Sequence, residues 1–305
     1  MKVVLTGGTG VLGRAAVRSL RAAGHDVAVV AHTSRSKGIA ERLGVPAVPG
    51  DVLRPGTLAH AFEDADAVVN LASAMPVGLG LHVPGAWRRH DQLRTEGVRN
   101  VVEAARAVGC RRVVQESVSF LYADQGDEWI TERAPLEITA STEPAAVGES
   151  LVQDFTCGSR TGVVLRFGRI VGDDPGTRHQ LRAALHGRRI GLGHPSDWSH
   201  VVHTDDVGEA VVAALHAPSG VYNVGAEPVQ RHDLAQGYAD AAGVDTATFR
   251  TGPSRWWDGA RHEPLTRSLR VCSDHFASQT GWRPLRPKFD VGWFDAVLPR
   301  QSLTP

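Results

Sequence analysis

Residues 6–13 read TGGTGVLG, set between the apolar run KVVL at residues 2–5 and the helix-periodic stretch RAAVRSL at residues 14–20. A strand, a glycine turn and a helix in that order build a phosphate site. Gly7, Gly10 and Gly13 allow a tight turn and close backbone approach to a pyrophosphate, which rests on the helix amino terminus. Thr6, Val11 and Leu12 complete the loop that a dinucleotide would touch.

The alternation of strand and helix continues outward from there. HDVAVVAHTS, VPAVPGDV and ADAVVNLAS are further strands, followed by a long helix from about Arg88 to Val108. CRRVVQESVSF, a helix near Ala145–Phe155, and TGVVLRFGRIVG extend the series. The strand runs are continuously apolar, which predicts an α/β fold with a doubly wound parallel sheet covered on both faces. Residues 1–170 form the dinucleotide-binding domain in this reading, and 196–225 return to it. Residues 171–195 and 226–305 form a smaller, discontinuous carboxy-terminal substrate lobe.

Composition narrows the function. The formal net charge is +0 with acids and bases interspersed, so neither nucleic acid nor an anionic membrane is expected as a partner. No apolar run approaches the roughly 18 residues of a membrane span. Cys110, Cys157 and Cys272 lack metal or disulfide spacing, as in a reduced cytoplasm, where the protein is expected. Of 33 basic residues only Lys2, Lys37 and Lys288 are lysines, which reads first as coding bias in a GC-rich genome.

The three-residue gap between Gly7 and its next partner glycine resembles the short-chain dehydrogenase/reductase superfamily, and more of the chain resembles its extended, epimerase/dehydratase-like branch. The segments GDVLRPGTLAHAFEDADAVVNLAS, EGVRNVVEAARAVGCRRVVQESVSFLY, LRFGRIVG, HVVHTDDVGEAVVAAL and GVYNVG carry the likeness. It implies a Rossmann-type fold, with Asp51 and Val52 at the adenine and Leu71, Ala72 and Ser73 along the cofactor. Monomer or homodimer are both compatible with that fold.

The residues after the second strand bear on which dinucleotide binds. They read His32, Thr33, Ser34, Arg35, Ser36, Lys37, with no carboxylate before Glu41. An acid there would receive the ribose hydroxyls of NAD, whereas Arg35 and Lys37, with Arg14 nearby, suit a 2′-phosphate. NADP(H) is therefore the expected cofactor, with NAD(H) as the alternative.

The resemblance also implies a Ser/Thr, Tyr and Lys proton relay, the last two four residues apart on one helix. Val147 and Leu151 occupy the Tyr and Lys positions, and Val118 the serine position. The chain's tyrosines are Tyr122, Tyr222 and Tyr238, and none lies four residues before a lysine. The stripe VGESL at residues 147–151 is expected to be core. Ser117, Ser119 and His203 are the candidate proton donors, with Tyr122 expected to pack at a strand end.

Met75, His82 and Trp87, on a glycine- and proline-rich loop after the fourth strand, are candidate substrate contacts. Arg94 and Trp198 join them, Arg94 either orienting a substrate oxygen or pairing within its own helix with an acid such as Asp91. Trp256 and Trp257 are candidate lobe linings. The expected activity is NADPH-dependent reduction of a ketone on a polycyclic aromatic metabolite, in which a neighbouring phenol activates the carbonyl. The chain is similar in this respect to the triad-less ketoreductases of angucyclinone pathways. A non-catalytic NADP(H) redox sensor and a sugar-nucleotide epimerase or dehydratase are the alternatives.

Overall fold

The computed structural model describes residues 1–78, 83, 85–251 and 261–298. The chain opens with β1 (Lys2–Thr6), α1 (Val11–Ala22), β2 (Asp26–Ala31), α2 (Ser34–Arg42), β3 (Ala47–Pro49), α3 (Leu58–Ala61) and β4 (Ala67–Asn70). Next come α4 (Arg88–Gln92), a π-turn (Leu93–Gly97), α5 (Val98–Ala107), β5 (Arg112–Val118), α6 (Glu143–Phe155) and β6 (Thr161–Phe167). The remainder holds β7 (Arg169–Val171), α7 (Pro175–Leu185), β8 (Gly191–Leu192), β9 (Trp198–Ser199), β10 (Val201–His203) and α8 (Thr204–Ala214). It ends with β11 (Gly220–Val224), β12 (Val229–Gln230), α9 (Arg231–Ala242), β13 (Phe249–Arg250) and α10 (Asp274–Thr280).

Seven strands form one parallel sheet in the order β3-β2-β1-β4-β5-β6-β11. The pleat divides the apolar strands between two cores. Val3, Leu5, Val27, Val29 and Val69 join α1 and α8 on one face. Val4, Ala28, Val30, Val68 and Val113 join α3, α5 and α6 on the other. This is why the strand sequences read as unbroken hydrophobic runs.

A third core gathers Val171, Leu181, Ile190, Leu234, Tyr238, Phe249 and Trp293 from the carboxy-terminal half. The short pairs β7–β10, β8–β13 and β9–β12 frame it. Not all of the expected lobe belongs there. Phe276 and Trp282 pack into the α1/α8 core, and Leu269 and Val271 pack with Tyr122 and Ile130. Phe276 and Trp282 thus return to the main sheet because their aromatic side chains find their partners there, while Leu269 and Val271 form a small separate cluster with Tyr122 and Ile130. Among the described residues, no helix is long and apolar enough to cross a membrane and no cluster of potential ligands could hold a metal ion.

His200 precedes β10 and is only 2% exposed, and neither of its ring nitrogens has a hydrogen-bond partner among the described residues. Burial pushes its pKa down from 6.5 to about 3. The native protein holds it neutral, so below pH 6.5 the unfolded chain binds the extra proton. Its contribution is complete above that pH and is lost as pH falls toward about 3, at up to about 1.4 kcal/mol per pH unit. His200→Phe should flatten this part of the stability profile in urea titrations run from neutral to acidic pH.

Candidate active site

A cleft of about 1260 Å³ lies at the carboxyl ends of the central strands. The strand order reverses between β1 and β4, the position where open α/β sheets bind ligands. Gly7 has φ +69, and a Cβ on it would lie 2.5 Å from the Leu71 carbonyl. A Cβ on Gly13 would lie 2.2 Å from the Gly7 oxygen, so α1 abuts the turn directly. At Gly10 the only near atom would be that same oxygen at 3.2 Å, leaving the space over the α1 amino terminus open. Gly10 offers no side-chain cap and the first turn of α1 holds no acid. These N–H groups are left for an anion, and the cradle fits a pyrophosphate.

Thr6, Gly7, Gly10, Val11 and Leu12 line this end of the cleft, whereas Gly13 lies behind the turn as its packing residue. Asp51, Val52, Leu71, Ala72 and Ser73 line it too, as do His32, Thr33 and Arg35. Ser34 and Lys37 do not, and Ser36 and Arg14 stand there instead. The reason is the cap of α2. The Thr33 oxygen accepts the Ser36 N–H at 3.1 Å, and the Ser36 oxygen accepts the Thr33 N–H at 3.0 Å. This reciprocal box turns Arg35 and Ser36 toward the cleft and commits Thr33 to the backbone.

The relay positions are apolar in space as well as in sequence. Val118 lines the cleft, and Glu116 shares its face of β5. Ser117 points the other way, as strand alternation requires, and donates to Glu149 Oε1 at 2.5 Å. That corrects its assignment as proton donor. Ser119 is fully buried off the cleft, with no partner for its hydroxyl among the described residues. His203 accepts the Asp205 N–H at 3.2 Å, caps α8 and packs edge-on against Trp293. All three candidate donors therefore lie away from the cleft.

Helix α6 also differs from expectation. Val147 and Leu151 are half-buried, and the buried face is formed by Gly148, Glu149 and Val152. A Cβ on Gly148 would lie 2.8 Å from the Arg94 carbonyl, so α6 presses on the π-turn there. Glu149 takes two hydrogen bonds from Arg166, Nε at 2.9 Å and Nη2 at 2.6 Å. The stripe VGESL is thus anchored at its centre by a carboxylate, while Leu151 packs against the core shared with α3 and α5.

Of the expected substrate contacts, Met75 and Arg94 line the cleft and His82 lies outside the described residues. Trp87 packs against His90 and His262 with the Arg261 guanidinium over its ring. Trp198 donates to Asp127 at 2.8 Å, stacks under Arg270 and does not line the cleft. Trp256 and Trp257 also lie outside the described residues. The lobe side of the cleft is cationic, with Arg169, Arg182, Arg188, Arg189 and Arg250.

Arg94 makes no ion pair with an acid of its own helix. Its Nη2 donates to Glu116 Oε1 at 2.6 Å and its Nε to His90 Nε2 at 3.0 Å, while Asp91 pairs with Arg261. Burial, with Arg94 and Arg261 adding to it, pushes His90 down to about 3, so the imidazole is a neutral acceptor. Burial raises the Glu116 carboxyl above its ordinary value, outweighing the opposing pull of Arg94. Glu116 escaped the sequence reading, yet a charge inside the strand RVVQESV was the available signal.

Residues 3–225 match the model of the NAD dependent epimerase/dehydratase family, and the chain belongs to that family. It is an NAD(P)-dependent oxidoreductase of the extended short-chain dehydrogenase/reductase type. A Streptomyces protein named 3-diazoavenalumate denitrifying reductase is 30% identical, over 96% of this chain and 99% of its own. The 2-alkyl-3-oxoalkanoate reductase of Stenotrophomonas maltophilia is 28% identical, over 99% of this chain and 97% of its own. The solved UDP-glucose 4-epimerase of Thermotoga maritima superposes with a TM-score of 0.76 at 19% identity, covering 93% and 94% of the two chains, a likeness of fold alone.

Proposed function

We propose that the protein is an NADPH-dependent ketoreductase acting on a polycyclic aromatic ketone of secondary metabolism, without the tyrosine–lysine relay. One observation carries this reading: the cleft that holds the glycine cradle is lined by Val118 at the serine position, and the tyrosine and lysine positions are the apolar Val147 and Leu151, which do not line it. Sugar-nucleotide epimerisation or dehydration relies on the same missing pair. Three of the chain's relatives are named reductases.

When bound, the reduced nicotinamide supplies a hydride to the carbonyl carbon. The protein holds the pyrophosphate on α1 and offers Arg14 and Arg35 to the 2′-phosphate. The guanidiniums on the lobe side suit a flat, electron-rich ring carrying acidic hydroxyls, on which they stack and to which they donate. A phenol beside the ketone, hydrogen-bonded to it, polarises the carbonyl from within the substrate.

The test is label transfer from NADPH deuterated at one face of C4 to a panel of hydroxylated polycyclic quinone ketones. Deuterium in the alcohol from one face only is the expected result. Tight NADPH binding without transfer to any ketone would instead point to a redox-sensing binder. In the same assay Arg35→Ala should erode the preference for NADPH over NADH by roughly tenfold, or about 1.4 kcal/mol.

A further inference from the structure

Two buried arginine–glutamate pairs lie on β5, β6 and their covering helices, and they are built differently. In the Arg166–Glu149 pair the guanidinium engages both carboxylate oxygens, the fork geometry of a structural ion pair. In the Arg94–Glu116 pair it engages one. Arg94 turns its Nε to His90, and only Nη2 reaches Glu116 Oε1. The second oxygen, Oε2, is buried with no partner among the described residues, although Glu116 is only 6% exposed.

An ionised carboxylate oxygen left this way is costly to bury. The orphan is relieved if Oε2 carries a proton and donates it to a ligand in the cleft. Glu116 and Arg94 both line that cleft, beside Val118 at the position where the usual relay would begin. The groups facing the carboxyl agree with a neutral acid. His90 is held neutral by burial, Arg261 is already paired with Asp91, and among the described residues Arg94 is the cation in contact. The π-turn Leu93–Gly97 carries Arg94, and such turns concentrate at functional sites.

We infer that Glu116 is the proton donor of the reduction, its carboxyl turning from its buried position to the carbonyl oxygen of the bound ketone. This rests on the ketoreductase reading above. An internal phenol polarises the ketone, but each turnover still consumes one proton from outside the substrate. The carbonyl carbon gains a hydride and its two C–O π electrons move to oxygen. That oxygen takes the proton from Oε2, giving the alcohol. The carboxylate left behind is stabilised by Arg94 and is re-protonated from water after release. Arg94 is a positioning residue, held in line by His90.

The experiment uses the full-length protein loaded with NADP⁺, and Glu116→Gln, which keeps the size of the side chain and an oxygen for Arg94. Infrared difference spectroscopy in H₂O and D₂O should show a protonated carboxylic acid band at neutral pH in the wild type, absent from the variant. With deuterated NADPH and the ketone panel, Glu116→Gln should lower kcat by about 100-fold or more, with NADPH affinity unchanged. The limb of the wild-type pH profile that falls as pH rises through the carboxyl pKa should vanish in the variant. Glu116→Asp, which keeps the acid but withdraws it, should retain the pH limb at reduced rate, and it serves if the glutamine variant does not fold.

Absence of the wild-type band overturns the proposal, as does a Glu116→Gln enzyme with wild-type kcat and pH profile. In both cases deuterium transfer by the wild type leaves the reductase reading standing. No transfer by the wild type removes that reading, and the donor role with it.

Discussion

Replacing Glu149 by alanine is expected to lower folding stability by about 3–5 kcal/mol, because it strands a buried guanidinium. Arg166 and Glu149 are each about 5% exposed at their side chains and are joined by two short hydrogen bonds. Ser117 donates into the same carboxylate, and Arg166 also lies 4.9 Å above the Tyr122 ring, whose hydroxyl donates to Asn223. The pairing holds Arg166 charged, raising its pKa against the cost of burial. Removal of the carboxylate leaves that charge with the neutral Tyr122 side chain and no counter-charge among its described partners. Replacing both partners together, as Glu149→Leu with Arg166→Met, removes the desolvation penalty as well as the attraction. The double variant should therefore be more stable than Glu149→Ala, which urea titrations of both proteins would measure. A single variant as stable as the wild type would mean that the pair contributes nothing to the fold.

The same pair marks where the sequence stops being legible. The Rossmann-type sheet was readable because its signals are local: continuous apolar runs, and glycines at a strand–helix junction. The cradle followed for the same reason. Glu149 was not readable as a core residue, because its partner lies on β6, 17 positions away, and a carboxylate is ordinarily surface. Arg94 has acids close by on its own helix, but its partner Glu116 is 22 positions distant. The intervening π-turn shifts the helical register on which an i,i+4 argument depends. Ser117 failed for a simpler reason. It neighbours the serine position, and in a strand the neighbour faces the opposite side. Strand alternation places Glu116, two positions back, on the same face as Val118. The relay's absence, by contrast, needed no geometry, since three tyrosines and three lysines could be checked in every register.

Gly13→Ala should carry the largest functional penalty of any single methyl group added to the cradle. The new Cβ would stand 2.2 Å from the Gly7 carbonyl oxygen and 2.4 Å from the Gly8 Cα. Those are backbone atoms, so no side-chain rotation relieves the overlap, and α1 must draw back from the turn. The far side of α1 is confined as well, because Gly208 of α8 approaches so closely that a Cβ on it would lie 2.7 Å from the Ala15 oxygen. Helix and loop must therefore part at the amino terminus, where the N–H groups that receive the pyrophosphate are aligned. A displacement on the order of 1 Å there costs roughly 100-fold in kcat/KM, with NADPH affinity falling in step because the lost contacts are made on binding. Gly56→Ala is the matched control: a Cβ there meets nothing within 4 Å, and its backbone is not in the left-handed region. Fluorescence titration with NADPH should leave Gly56→Ala at the wild-type value and show Gly13→Ala greatly weakened. A Gly13→Ala protein that binds NADPH as tightly as the wild type would mean that the pyrophosphate does not rest on this turn, and the cofactor end of the cleft would have to be placed elsewhere.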